Sequence, residues 1–201
     1  MTGQDITPAA PLPGERWTLS IPLADLEETE RFARRLAAEL SAGTLLVLTG
    51  ELGAGKTTFT QSLAEGLGVA GQVSSPTFVL SRIHRSGGEG PDLVHVDAYR
   101  TDAEGLESLD LISTLPESVT VVEWGRGLVE HALVGAEGSW LDLELVREEA
   151  PGGEDPAAAP AEGGIVTDFS ESEADVLGTP RTAVLRGYGE AFPSVPDSFL
   201  P

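Results

Sequence analysis

Thr44-Leu45-Leu46-Val47-Leu48-Thr49-Gly50-Glu51-Leu52-Gly53-Ala54-Gly55-Lys56-Thr57-Thr58 is the stretch that decides the fold. Thr44 to Thr49 is a short continuous apolar run, as expected of a strand covered on both faces of a parallel sheet. Gly50 to Thr57 matches the spacing of a phosphate-binding loop, in which two glycines bracket four residues and Lys-Thr follows. From Thr57 to Leu67, Phe59, Leu63 and Leu67 fall at helical spacing, and Gly68 is a stop. Strand, Gly-rich loop and helix in that order form the context the motif needs.

Each part of the loop has a chemical reason. Gly50, Gly53 and Gly55 permit backbone conformations that aim successive N–H groups inward at an anion. The helix that opens near Lys56 adds its positive end. Lys56 reaches the β- and γ-phosphates as a point charge, and the Thr57 hydroxyl coordinates Mg²⁺. Composition singles out the same position, because Lys56 is the only lysine among 12 Lys+Arg. A chain that otherwise uses arginine places an ammonium on a flexible stem there. Gly50, Glu51, Leu52, Gly53, Ala54, Gly55, Lys56, Thr57 and Thr58 are thus the expected binding residues, and ATP with Mg²⁺ the expected cofactors.

Upstream, Trp17 to Leu23 alternates as a strand. Asp25 reads as an N-cap, with Glu28 as its capping-box partner. Leu26, Thr29, Phe32, Ala33, Leu36, Ala37 and Leu40 then make one apolar helix face. Downstream, Phe78 to Ile83, Leu93 to Asp97 and Val119 to Glu123 read as strands. Asp102 to Leu111 and Gly127 to Leu133 read as short helices. Trp140 to Val146 alternates and is expected at a sheet edge. The predicted class is α/β, a P-loop NTPase-like three-layer fold with a mainly parallel sheet and an antiparallel edge. The expected organisation is a flexible N-terminus over 1–15, a P-loop ATPase domain over 16–147, and an acidic low-complexity insertion over 148–201. That last region includes a possible strand at Thr182 to Leu185 and a proline-containing tail from Phe192.

A P-loop needs an acid on a neighbouring strand for the Mg²⁺ shell. Asp97 and Glu123 both end apolar strands, and spacing alone does not choose between them. Ser74 to Thr77 lies where some P-loop hydrolases carry a segment ordered by the γ-phosphate.

Charge narrows the function. With 12 Lys+Arg against 33 Asp+Glu, the net charge is −21. Direct nucleic-acid binding, which runs on cations neutralising phosphates, is disfavoured, and a basic protein partner fits better. With no cysteine there are no disulfides, thiolate metal sites or cysteine nucleophiles. No apolar run approaches the roughly 20 residues of a membrane span. No secretory leader is evident, so a cytoplasmic location is expected. The absence of asparagine removes the Asn-Lys-x-Asp motif of guanine-specific GTPases.

Gly50-Glu-Leu-Gly-Ala-Gly-Lys-Thr-Thr58, Ser75-Pro76-Thr77-Phe78, Asp97-Ala98-Tyr99-Arg100 and Val122-Glu123-Trp124 together resemble the TsaE (YjeE) family in content, order and spacing. Members are bacterial ATPases needed for threonylcarbamoyladenosine modification of tRNA. The resemblance covers about residues 17–146 and implies weak ATPase activity. It implies that Glu123 joins Thr57 at Mg²⁺ and that Asp97 is an active-site acid. It also makes Ser75 to Thr77 switch-like, with Thr77 in the catalytic set, and places Trp124 close to the nucleotide. The implied partners are the transferase subunits TsaD and TsaB, with tRNA contacted only indirectly. Nothing after residue 147 follows the family pattern. Two other readings of the P-loop are a small-molecule kinase, with Arg82 and Arg85 in its lid, and a nucleotide-dependent binding switch with negligible turnover.

Overall fold

The apolar runs become strands and the periodic segments become helices. The computed structural model describes residues 8–76, 80–99, 101, 103–107, 109–135, 137–148 and 180–200. In chain order the elements are β1 (Glu15–Leu23), α1 (Leu26–Glu39), β2 (Leu45–Gly50), α2 (Lys56–Gly66), β3 (Ser81–His84) and β4 (Asp92–Asp97). They continue with α3 (Ala103–Glu107), α4 (Leu111–Thr114), β5 (Ser118–Glu123), α5 (Glu130–Val134), β6 (Trp140–Arg147) and β7 (Arg181–Tyr188). All strands join one seven-stranded sheet in the order β1-β7-β6-β2-β5-β4-β3. The centre, β6-β2-β5-β4, is parallel. β7 and β1 extend it antiparallel on one side and β3 on the other. Antiparallel strands flank the parallel centre on both sides, in keeping with the expected mainly parallel sheet with an antiparallel edge.

Strand alternation splits the core into two layers. Leu46, Leu48, Val119, Val121, Leu141 and Leu143 pack with Phe32, Leu36, Phe59 and Leu63 of α1 and α2. Leu45, Val47, Val94, Val96 and Val122 pack with Leu106, Leu111 and Val129 on the opposite face. The start of α1 follows the expected chemistry. The Glu28 N–H donates to Asp25 Oδ1 at 2.8 Å, and the Glu28 carboxylate accepts the Ala24 N–H at 2.8 Å, one residue before the usual capping-box position. Among the described residues no helix is long and apolar enough to cross a membrane.

Three expectations are corrected. β6 is not an edge strand, since it pairs with β2 on one side and β7 on the other. Its polar alternate residues face a buried ion cluster, not solvent. Arg126 Nε and Arg186 Nη1 each donate to Asp142 Oδ2 at 3.0 Å, and Arg186 Nη2 donates to Glu144 Oε2 at 3.0 Å. Second, of the N-terminus over 1–15, expected to be flexible, residues 1–7 lie outside the described residues and residues 8–15 are held by the same cluster. The Ala9 N–H donates to Glu144 Oε1 at 3.0 Å, and Arg126 and Arg186 donate to the carbonyls of Ala10 at 2.7 Å and Ala9 at 2.8 Å. The Leu12 N–H donates to the Tyr188 hydroxyl at 3.1 Å. Third, residues 192–200, expected as part of a tail, are packed. Phe192, Val195 and Phe199 lie against the core, Phe199 meets Phe32 edge-on at 5.7 Å between centroids, and Arg35 stacks on Phe199 at 5.0 Å. The acidic stretch 149–179 lies outside the described residues, and the strand expected at Thr182 to Leu185 extends over the whole of β7.

Asp142 is fully buried, and burial pushes its carboxyl above the ordinary value while Arg126 and Arg186 pull it down. A carboxylate in that setting is tolerated only because both guanidiniums bond to it. Asp142→Ala removes the shared acceptor of two arginines and is expected to cost about 3 kcal/mol. Urea unfolding monitored by circular dichroism checks this, and a loss below about 1 kcal/mol would contradict the cluster's role.

Candidate nucleotide site at the ends of the parallel strands

Pairing in the parallel centre brings three strand ends together. Leu48 of β2 pairs with Glu123 of β5, and Glu123 pairs with Asp97 of β4. Chain turns leaving adjacent parallel strands form the crevice in which α/β proteins bind ligands. Further backbone bonds brace it, from the Trp124 N–H to the Leu48 carbonyl at 3.1 Å and from the Ala98 N–H to the Glu123 carbonyl at 2.9 Å.

The loop from Gly50 to Gly55 then turns into α2. Gly50 has φ 147° and Gly55 φ 91°, values that side-chain-bearing residues rarely adopt. Space forbids a side chain as well. A Cβ on Gly50 would lie 2.6 Å from the Leu145 carbonyl oxygen, and one on Gly55 would overlap Nη1 of Arg181. Ala54, Gly55 and Lys56 are buried, whereas Glu51 and Leu52 stand exposed at the tip, Leu52 with 74% of its surface open. Thr57 and Thr58 are half-buried in the first turn of α2.

Lys56 is buried among acids. Its Nζ donates to the carbonyls of Gly50 and Glu51, both at 2.8 Å, and sits 3.7 Å from the centre of the Trp124 ring. Burial lowers its pKa to about 8, against the pull of Glu123, then Asp97, then Glu51. At neutral pH the ammonium is therefore still mostly charged. Trp124 reaches this position by turning left-handed, with φ 63°. A non-glycine residue in that region carries strain that the surroundings must hold. The ring of Tyr99 packs on it at 5.2 Å.

Both candidate acids are buried at the same rim. Thr57 Oγ1 lies 3.4 Å from Glu123 Oε1, a long hydrogen bond. Neighbouring vertices of a Mg²⁺ octahedron with bonds of about 2.1 Å lie about 3.0 Å apart, so the two oxygens would have to draw slightly closer to share such an ion. Asp97 lies beside this pair, its Oδ1 accepting the Tyr99 N–H at 3.0 Å. Among the described residues no group of three or more His, Asp or Glu could hold a metal by itself. Thr57 and Glu123 are the residues here that could contribute to holding a cation. Thr77 and Phe78 lie outside the described residues.

Two site residues escape sequence reasoning. His95 is fully buried and its Nε2 is 2.8 Å from Glu123 Oε1. The two side chains share one hydrogen bond, whose donor is set by the imidazole tautomer. The signal was there, since His95 stands two places before Asp97 on a strand and shares its face. Arg181, at the start of β7, is buried and donates from Nη1 to the Ala54 carbonyl at 3.0 Å. No local signal points to it, because the contact spans 127 positions.

Comparison with known proteins follows this geometry. The family model described as threonylcarbamoyl adenosine biosynthesis protein TsaE matches residues 23–151. The chain is 62% identical to the Streptomyces coelicolor tRNA threonylcarbamoyladenosine biosynthesis protein TsaE over 100 residues, which cover 49% of this chain and 68% of that one. It is 45% identical to the Mycobacterium bovis protein of the same name over 117 residues, 54% of this chain and 70% of the relative. The crystal structure of Bacillus subtilis YdiB superposes with a TM-score of 0.58 at 26% identity, covering 88% of this chain and 89% of that one. The fold is accordingly that of P-loop NTPase-like proteins, and the chain belongs to the TsaE family of tRNA threonylcarbamoyladenosine biosynthesis proteins.

Proposed function

We propose that this protein binds Mg-ATP on the loop from Gly50 to Thr58 and hydrolyses it slowly. In this reading it serves threonylcarbamoyladenosine formation on tRNA through the transferase subunits TsaD and TsaB. The observation that carries the reading is the rim itself, where a glycine loop, a buried ammonium and a hydroxyl–carboxylate pair converge. The excess of 33 Asp+Glu over 12 Lys+Arg supports a protein partner in place of a direct grip on tRNA.

Roles follow from the chemistry of each group. The loop N–H groups and those at the start of α2 donate to the phosphate oxygens. Lys56 leaves its two carbonyl acceptors for the phosphate oxygens, a stronger partner because it is charged. Mg²⁺, when bound, neutralises charge on the β- and γ-phosphate oxygens. Thr57 and Glu123 are the residues that would hold it. In this reading Asp97 orients the attacking water and accepts its proton, supported by its burial beside Glu123 at the same rim. Trp124 covers Lys56 and excludes water from one side. Thr77 belongs to the segment that would follow the γ-phosphate.

Lys56→Ala is expected to weaken ATP binding about 100-fold, the worth of a buried charged donor to phosphate. Glu123→Ala should blunt the Mg²⁺ dependence of binding, and Asp97→Ala should keep binding while turnover falls about 100-fold. Titration calorimetry and phosphate release check these; near-normal turnover in either of the first two variants would overturn the site. Hydrolysis by the wild type is expected to be slow alone and to rise when TsaD and TsaB are added. Turnover indifferent to both would detach the P-loop from this assembly and favour a phosphate-acceptor search.

A further inference from the structure

The strand that follows the acidic stretch returns to the phosphate loop. β7 runs antiparallel to β6, so its first residue, Arg181, stands opposite Arg147 at the end of the sheet where β2 delivers Gly50. The guanidinium is buried against the loop. Nη1 donates to the Ala54 carbonyl at 3.0 Å and overlaps the place where Gly55 would carry a Cβ. The loop is closed from within at the same residue, where the Ala54 N–H donates to the Glu51 carbonyl at 3.1 Å.

A peptide bond is planar and trans, so its C=O and N–H point in opposite directions. Holding the Ala54 carbonyl toward Arg181 therefore turns the N–H of the same peptide, that of Gly55, away from the guanidinium. The charge on Arg181 adds to this, since a cation beside the loop favours an anion bound there. We infer that Arg181 is a positioning residue for the nucleotide phosphates, fixing the Gly55 N–H as a phosphate donor through its bond to the Ala54 carbonyl. The inference rests on the reading of the loop as the phosphate site. It makes β7, beyond the acidic stretch, part of the nucleotide machinery.

The test uses the full chain with ADP and Mg²⁺ as the probe, and reads affinity by calorimetry and the Gly55 amide by NMR. In the wild type, ADP should move the Gly55 amide proton strongly downfield, as a charge-assisted bond does. Arg181→Met removes the donor and is expected to lower ADP affinity about tenfold and to reverse most of that shift, with adenosine binding unchanged. Arg181→Lys keeps a donor and a charge and should bind ADP within about threefold of wild type. An unchanged ADP affinity and Gly55 shift in Arg181→Met overturns the inference. So does a loss of affinity in which the Gly55 shift is retained, since that is packing alone. If Arg181→Met does not fold, the wild type decides, and a Gly55 amide that ADP leaves unmoved overturns the inference. Lys56→Ala separates the two readings: if it binds ADP normally the phosphate site itself is wrong, and if it alone loses ADP only the role of Arg181 is.

Discussion

The hydrogen bonds that pair β2 with β5, and β5 with β4, decide where the chemistry can occur. They align Leu48, Glu123 and Asp97 in neighbouring register, so that three chain turns leave the sheet at one rim. Slipping β5 by one residue would turn Glu123 to the other face and send Val122 toward Lys56. The apolar strands on both sides of the sheet resist such a slip, because Val119 and Val121 fill one layer while Val122 fills the other.

In the proposed function an acidic chain receives a polyanion, which it would have to do by local arrangement and not by net charge. The loop supplies neutral N–H donors, and α2 adds its positive end. Lys56 contributes the charge, and burial makes that charge costly until a better partner than backbone carbonyl arrives. Glu123, Asp97 and Glu51 favour the ammonium but would repel phosphates without a cation between them, the part given to Mg²⁺ in the proposed function. His95 meanwhile bonds one Glu123 oxygen, the same atom that faces Thr57.

Much of this was legible in the sequence because the signals are local. The Asp25 cap, the apolar face of α1, the loop and the two acids at strand ends all sit within a few positions of the residues that explain them. What was missed depends on distant partners. The alternation in β6 reads as one wet face, yet Asp142 and Glu144 meet Arg186 and Arg126, and only the fold brings those together. Phe192 and Phe199 stand among prolines with no periodicity, but they cover Trp17 and Phe32, with the Trp17 Nε1–H donating to the Phe192 carbonyl at 3.0 Å. Arg181 follows a compositionally biased stretch, where one arginine carries no distinguishing mark.

The most direct measurement is a crystal structure of the protein with a non-hydrolysable ATP analogue and Mg²⁺. The account predicts the phosphates inside the loop from Gly50 to Thr57, Lys56 moved from the Gly50 and Glu51 carbonyls onto them, and the ion between Thr57, Glu123 and the phosphates. A nucleotide bound elsewhere, or an ion held by Asp97 without Glu123, would contradict it.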